Sequence, residues 1–126
     1  MFPKFLLKRM YEKESLKITE QGFCFTIKNS IANGNVIEVY LLALNEEVIP
    51  FPDIKVKNEA QEMSADNISN ETPVELRKGV ATIFTVKKDQ LSELIDKEVK
   101  IKMKFKVQVR ESKMTIEFDF QDILRR

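Results

Sequence analysis

The sequence predicts an all-β fold: an antiparallel β-sandwich, immunoglobulin-like or jelly-roll-like, of about eight strands with one short helix. Three observations predict it. Glu98 to Arg110 reads EVKIKMKFKVQVR, in which Val99, Ile101, Met103, Phe105, Val107 and Val109 alternate with Lys100, Lys102, Lys104, Lys106, Gln108 and Arg110. A period of two over that length is a strand with one face buried. KMTIEFDF follows with the same period, Met114, Ile116, Phe118 and Phe120 against Lys113, Thr115, Glu117 and Asp119. Shorter alternating stretches recur along the chain at roughly 8–12-residue spacing, as in two-layer β folds.

The elements follow in order. Residues 1–14 read as an edge strand or arm, with Phe5, Leu7 and Tyr11 at strand spacing; Phe2, Leu6 and Met10 would instead suit a helix stripe. Leu16 and Ile18 share one side of Ser15–Thr19, and Phe23, Phe25 and Ile27 one side of Phe23–Lys28, with Gln21-Gly22 as the turn between. Asn33-Gly34 is a turn signal. Asn35–Leu44 is nearly continuous in apolar residues, which suits a central strand covered on both faces. Glu46-Glu47 reads as the next turn, with Val48–Phe51 returning and its prolines confining it to an edge or bulge. Ile54 and Val56 mark another strand, as do Val80, Thr82, Phe84 and Val86. Glu59–Pro73 is polar and reads as a surface loop with room for one helical turn. Asp89–Lys97 carries an N-cap aspartate with Leu91, Leu94 and Ile95 at helical spacing, the expected short helix.

The last two strands can be paired. A turn at Glu111-Ser112 sets Val109 against Met114, Val107 against Ile116, Phe105 against Phe118 and Met103 against Phe120. On the other face Lys106 then meets Glu117 and Lys104 meets Asp119. A slip of one residue would put charges in the core.

Composition narrows the chemistry. The chain has 126 residues, 43% apolar and 33% charged, the size and balance of one globular domain over 1–126. Lysine and arginine number 21 against 20 acids, net charge +1, so no global charge favours nucleic acid or an anionic membrane as partner. There is no histidine, hence no histidine-based triad or metal ligand set. The single cysteine, Cys24, can make neither an internal disulfide nor a zinc site, and it has no base to activate it. Gly22, Gly34 and Gly79 are isolated, whereas nucleotide-binding loops need clustered glycines. No cofactor or metal is expected, and no catalytic residue stands out. Carboxylate pairs such as Asp119 and Asp122 sit in no recognisable motif. The apolar run Phe5-Leu6-Leu7 is shorter than the roughly seven residues of a signal peptide or the roughly twenty of a membrane span. The expectation is a cytoplasmic protein.

Two features suit a partner surface. Phe2, Phe5, Leu7 and Tyr11 form an apolar arm that must be buried, either in the chain's own sandwich or against a second copy or another protein. Lys100, Lys102, Lys104 and Lys106 line one strand face, fit for an acidic partner or simply for solvent. A small-ligand carrier would instead need a cavity between the sheets.

FLLKRMYEKESLKIT, GFCFTIKNSIANG, TPVELRKGVATIFTV and TIEFDFQDI resemble segments of a group of short prokaryotic β-sandwich proteins. Some members of that group carry the name hydroxymethylglutaryl-CoA reductase. The group is similar, more remotely, to the β subunits of carbon-glycoside deglycosidases, β-sandwiches that associate with a larger metal-bearing catalytic subunit. The resemblance implies a sandwich and, by that analogy, an accessory role. A reductase of that name needs a dinucleotide-binding domain and a catalytic histidine, so this chain alone is not expected to perform the reduction. The expected function is a non-catalytic interaction module or accessory subunit, working as a homo-oligomer or with a larger protein. The alternative is the small subunit of a larger, deglycosidase-like enzyme.

Overall fold

The long alternating segment forms the hairpin on which the rest of the molecule is built. In this computed structural model, which describes residues 4–126 and side chains from Leu6 onward, the chain runs through a short helix and ten strands. These are α1 (Lys4–Lys8), β1 (Lys17–Ile18), β2 (Gly22–Lys28), β3 (Gly34–Leu44), β4 (Glu47–Val48), β5 (Ile54–Lys57), β6 (Glu62–Ser64), β7 (Val74–Leu76), β8 (Ala81–Lys87), β9 (Glu98–Val109) and β10 (Ser112–Ile123). One sheet has the order β1-β2-β8-β5-β6, the other β10-β9-β3-β4 with β7 also on β3. Every strand pair is antiparallel. The inward residues of both sheets merge in one apolar core containing Phe23, Phe25, Leu42, Ile54, Val86, Ile101 and Phe118. The all-β sandwich expected from periodicity is the fold.

The faces of the final hairpin follow the alternation, but its register does not follow the expected one. The turn is Arg110-Glu111, with Arg110 at φ 58, the positive φ a two-residue hairpin loop requires at its first position. Every pairing moves by two: Met114 opposes Val107, Ile116 opposes Phe105, Phe118 opposes Met103 and Phe120 opposes Ile101. Glu117 accordingly stands opposite Lys104, and Asp119 opposite Lys102, in place of Lys106 and Lys104. A two-residue slip preserves the faces, so face patterning alone could not decide it.

The N-terminal segment starts as a helix rather than a strand. The inward face is neither of the stripes read from sequence: Leu7, Met10 and Tyr11 are buried, which is i, i+3, i+4 spacing. Strand character survives only at Tyr11, which bridges Ile27 and so continues the sheet edge beside β2. Glu12 N–H donates to Thr26 O and Lys28 N–H to Met10 O.

The helix expected over Asp89–Lys97 reduces to one 3-10 turn, Ser92–Leu94. Gln90 (φ 62) and Asp96 (φ 67) bracket it in the left-handed region, which leaves too few residues for i→i−4 bonds. Leu91 is still buried, so the apolar spacing serves the core without a helix.

Short elements fill the other gaps. The turn before β4 is Asn45-Glu46, both at positive φ, rather than Glu46-Glu47. The polar stretch 59–73 holds β6 and a 3-10 turn, Ala65–Asn67, pinned by buried Ala65 and Ile68. Asn33-Gly34 is not a hairpin turn; the chain there crosses from one sheet to the other. Buried Asn29 holds the crossing: its amide donates to Ala32 O (2.6 Å) and Leu76 O (3.0 Å), and its oxygen accepts Ile31 N–H (3.1 Å). At the opposite corner Lys17 bridges Arg125, so the segment after β10 ties the two sheets together. Ile18 N–H donates to Arg125 O at 2.6 Å.

Candidate functional site

Alternation in β10 places residues 114, 116, 118 and 120 inward, and continuing it turns Asp122 inward as well. An inward carboxylate needs partners, and Asp122 has four. Oδ2 accepts the Tyr11 hydroxyl at 2.6 Å and Glu14 N–H at 2.9 Å; Oδ1 accepts Ile123 N–H at 2.7 Å and Arg125 Nη1 at 3.0 Å. The Tyr11 oxygen in turn accepts the buried Leu16 N–H at 3.2 Å. The Tyr11 ring stacks on Phe120, centroids 3.8 Å apart and planes within 10°. The turn at Glu14, with φ 70, brings its N–H to the carboxylate.

This network fixes its own protonation states. Burial, followed by the hydrogen bond to Asp122, pushes Tyr11 from 10.0 up to about 12. Burial also raises the Asp122 pKa, but the hydrogen bonds from Tyr11, Glu14, Ile123 and Arg125 outweigh it and hold the carboxyl below its ordinary value. At neutral pH Tyr11 is therefore a phenol and Asp122 a carboxylate. The network holds the N-terminal segment against the end of β10. It contains no group poised near neutrality to take or give a proton.

An open cleft of about 860 Å³ lies over the network. Five cations line it: Lys8, Arg9, Lys13, Lys100 and Arg125. So do the carboxylates Glu14, Asp119 and Asp122. Asp119 is engaged by Lys8 (3.4 Å) and Lys100 (3.7 Å).

The residues expected at an interaction surface separate. Leu7 and Tyr11 are 4% and 7% exposed and belong to the chain's own core; Phe2 and the side chain of Phe5 lie outside the described residues. The lysine face is on the outer side of the second sheet, where Lys102 pairs with Glu117 (3.1 Å), Lys104 sits 6.0 Å over the Tyr40 ring and Lys106 stands beside Glu38. Only Lys100 reaches the cleft. Arg125 was not singled out by sequence. The available signal was Asp122, a charge at an inward register position.

Burial pushes the Cys24 thiol up, away from the reactive thiolate. No cluster of three or more Asp, Glu or Cys could hold a metal ion among the described residues. The apolar void between the sheets has a volume of about 30 Å³, against the roughly 150 Å³ that a benzene-sized guest occupies. Among the described residues no helix is long and apolar enough to cross a membrane.

The sequence matches the family described as hydroxymethylglutaryl-CoA reductase, N-terminal domain, over residues 6–123. The chain belongs to that family. No curated protein matches it significantly. A reductase draws its hydride from a bound donor, and the described residues do not fit a dinucleotide. Gly22, Gly34 and Gly79 lie in three separate places, α1 has five residues and the described residues include no strand–helix–strand unit to cradle a pyrophosphate.

Proposed function

We propose that this β-sandwich is a non-catalytic protein-interaction module, an accessory part of a larger assembly. The observation that carries the reading is the Tyr11–Asp122–Arg125 network. The chain's best-built polar cluster is spent on holding two segments together, with its acid ionised and its phenol protonated. What it leaves facing solvent is a charged cleft suited to contact rather than turnover. The reading places the protein in the cytoplasm, where a lone thiol such as Cys24 stays reduced.

Sedimentation velocity of the chain isolated from its native cells tests the proposal. The expected result is a stoichiometric complex with a second copy or a larger polypeptide. A strict monomer with no stoichiometric partner would overturn it, as would substrate turnover by the isolated chain.

A second reading has its own support. The family's description names an N-terminal domain of a reductase, so the larger partner would be an enzyme that holds the cofactor itself. Under this reading, adding the chain to that enzyme changes its kcat or KM. An unchanged pair would rule the enzyme out as partner.

A further inference from the structure

We propose that the cleft beside α1 is the docking site for a carboxylate-bearing segment of a partner polypeptide, with Arg125 as its central contact. The inference rests on the module reading above and names the chemistry of what the module binds.

The argument starts from how Arg125 is held. Its Nη1 donates to Asp122 Oδ1 at 3.0 Å and to Ile123 O at 3.1 Å, while its backbone pairs with Leu16 and Ile18. Asp122 is itself fixed by Tyr11 and by two backbone N–H groups. The guanidinium is thus oriented before any ligand arrives. Among the described residues its Nε and Nη2 have no hydrogen-bond partner, and the side chain lines the cleft. Those two N–H groups form the planar fork that a carboxylate accepts with both oxygens. Asp122 offsets the charge of the guanidinium but contacts it only through Nη1, so the fork itself is left open.

Charge around the fork points the same way. Leaving Arg9 out of the count, four cations (Lys8, Lys13, Lys100 and Arg125) face three carboxylates in the cleft, and Asp119 and Asp122 are already engaged within it. The surplus is positive in a chain whose total charge is only +1. A cleft of about 860 Å³ has room for several residues of an extended peptide, with Lys13 placed to meet a further acid.

Hexaglutamate, with hexaglutamine as control, is the probe, read by amide chemical shifts of the full chain. Hexaglutamate is expected to move the amides of residues 8–14 and 119–125 and to bind more weakly as salt rises. Arg125→Gln is expected to weaken it about tenfold, and Arg125→Lys to recover part of that, because the charge returns without the fork. Lys13→Gln, outside the network, gives an independent readout and is expected to weaken binding about twofold. Lys106→Gln, on the outer sheet face, is expected to change nothing. Equal binding of hexaglutamine, shifts confined to the β9 lysine face, or an Arg125→Gln variant that folds and binds as before would overturn the proposal. So would inorganic phosphate shifting the same amides where hexaglutamate does not. A stoichiometric partner in sedimentation with no hexaglutamate binding would sink the cleft and leave the module reading standing. Turnover by the isolated chain would sink the module reading instead.

Discussion

Tyr11 donates its hydroxyl proton to Asp122 across 111 positions of sequence, and that 2.6 Å bond joins the first described segment of the chain to the last strand. It accounts for two features at once. A charged residue tolerates an inward strand position because the phenol, two backbone N–H groups and Arg125 replace its water. An aromatic ring near the N-terminus is fixed in place because its hydroxyl also caps the buried Leu16 N–H.

Replacing Tyr11 by Phe separates ring from hydroxyl. The stack on Phe120 survives, but Leu16 N–H loses its acceptor and Asp122 one donor. The expected loss is about 1–2 kcal/mol. Tyr11→Ala also removes the buried ring and is expected to cost about 3–5 kcal/mol. Urea unfolding of both variants measures the difference. Equal losses would mean that the hydroxyl is worth nothing beyond the ring.

The same pair sets a pH signature. Tyr11 has a folded pKa of about 12, above its ordinary 10.0, so between those values the folded chain binds more protons than the unfolded one. Its contribution to stability is full below about pH 10 and fades as pH rises toward 12. Asp122 has the opposite sign. Its folded pKa is depressed, so its contribution is full above the ordinary carboxylate range and is lost as pH falls through the folded value. Melting temperature against pH should therefore fall off at both ends. Tyr11→Phe should flatten the alkaline limb relative to wild type, and Asp122→Asn the acid one. Parallel profiles for wild type and Tyr11→Phe above about pH 10 would contradict the alkaline assignment.

Gly22 is held by close approach rather than by conformation. A Cβ there would lie 2.7 Å from Lys88 N and would collide with Val86 O, both of them backbone atoms of the neighbouring strand and its exit. Gly79 is the reverse: φ is +86 and nothing lies within 4 Å of an added Cβ. Gly22→Ala must push β2 from β8 and is expected to cost about 3 kcal/mol or more, since backbone cannot step aside as a side chain can. Gly79→Ala carries only the positive-φ penalty of about 1 kcal/mol. Denaturation midpoints that place Gly79→Ala as the worse variant would refute this ordering.

Sequence made the long strands legible because a period of two declares itself only over several residues. β2, β5, β8, β9 and β10 stand where alternation puts them, and β3 stands where its apolar run puts it, although its outer face is open at Glu38 and Tyr40 rather than covered on both sides. β1 lies within the strand read over Ser15–Thr19 but keeps only two residues; β4 has two, and β6 and β7 three, too short to show a period, so their pairing is set by the strands beside them. Leu91, Leu94 and Ile95 carried a helical spacing that the positive φ at Gln90 and Asp96 cuts off, a backbone decision no side-chain pattern records. At the site, Tyr11 read as one more apolar anchor. Its hydroxyl gained meaning only from Asp122, which alternation along β10 turns inward and the hairpin register sets opposite Val99.

That register is the case where patterning was silent and a measurement can speak. Both candidate registers bury the same apolar residues and set the same two acids against lysines, because lysine occupies every alternate position from Lys100 to Lys106. What separates them is local: a loop of two residues at Arg110-Glu111, and cross-strand ion pairs that reach diagonally to Lys102 from Glu117 and to Lys100 from Asp119. A double-mutant cycle on Lys102 and Glu117 should give a coupling of about 0.2–0.5 kcal/mol, small because both side chains are almost half exposed. The cycle on Lys106 and Glu117 should give none within error, since Lys106 faces Thr115 and Glu38. Coupling in the second cycle and not the first would restore the turn at Glu111-Ser112. It would also shift Asp122 from opposite Val99 to opposite Ile101, and with it the whole geometry of the cleft.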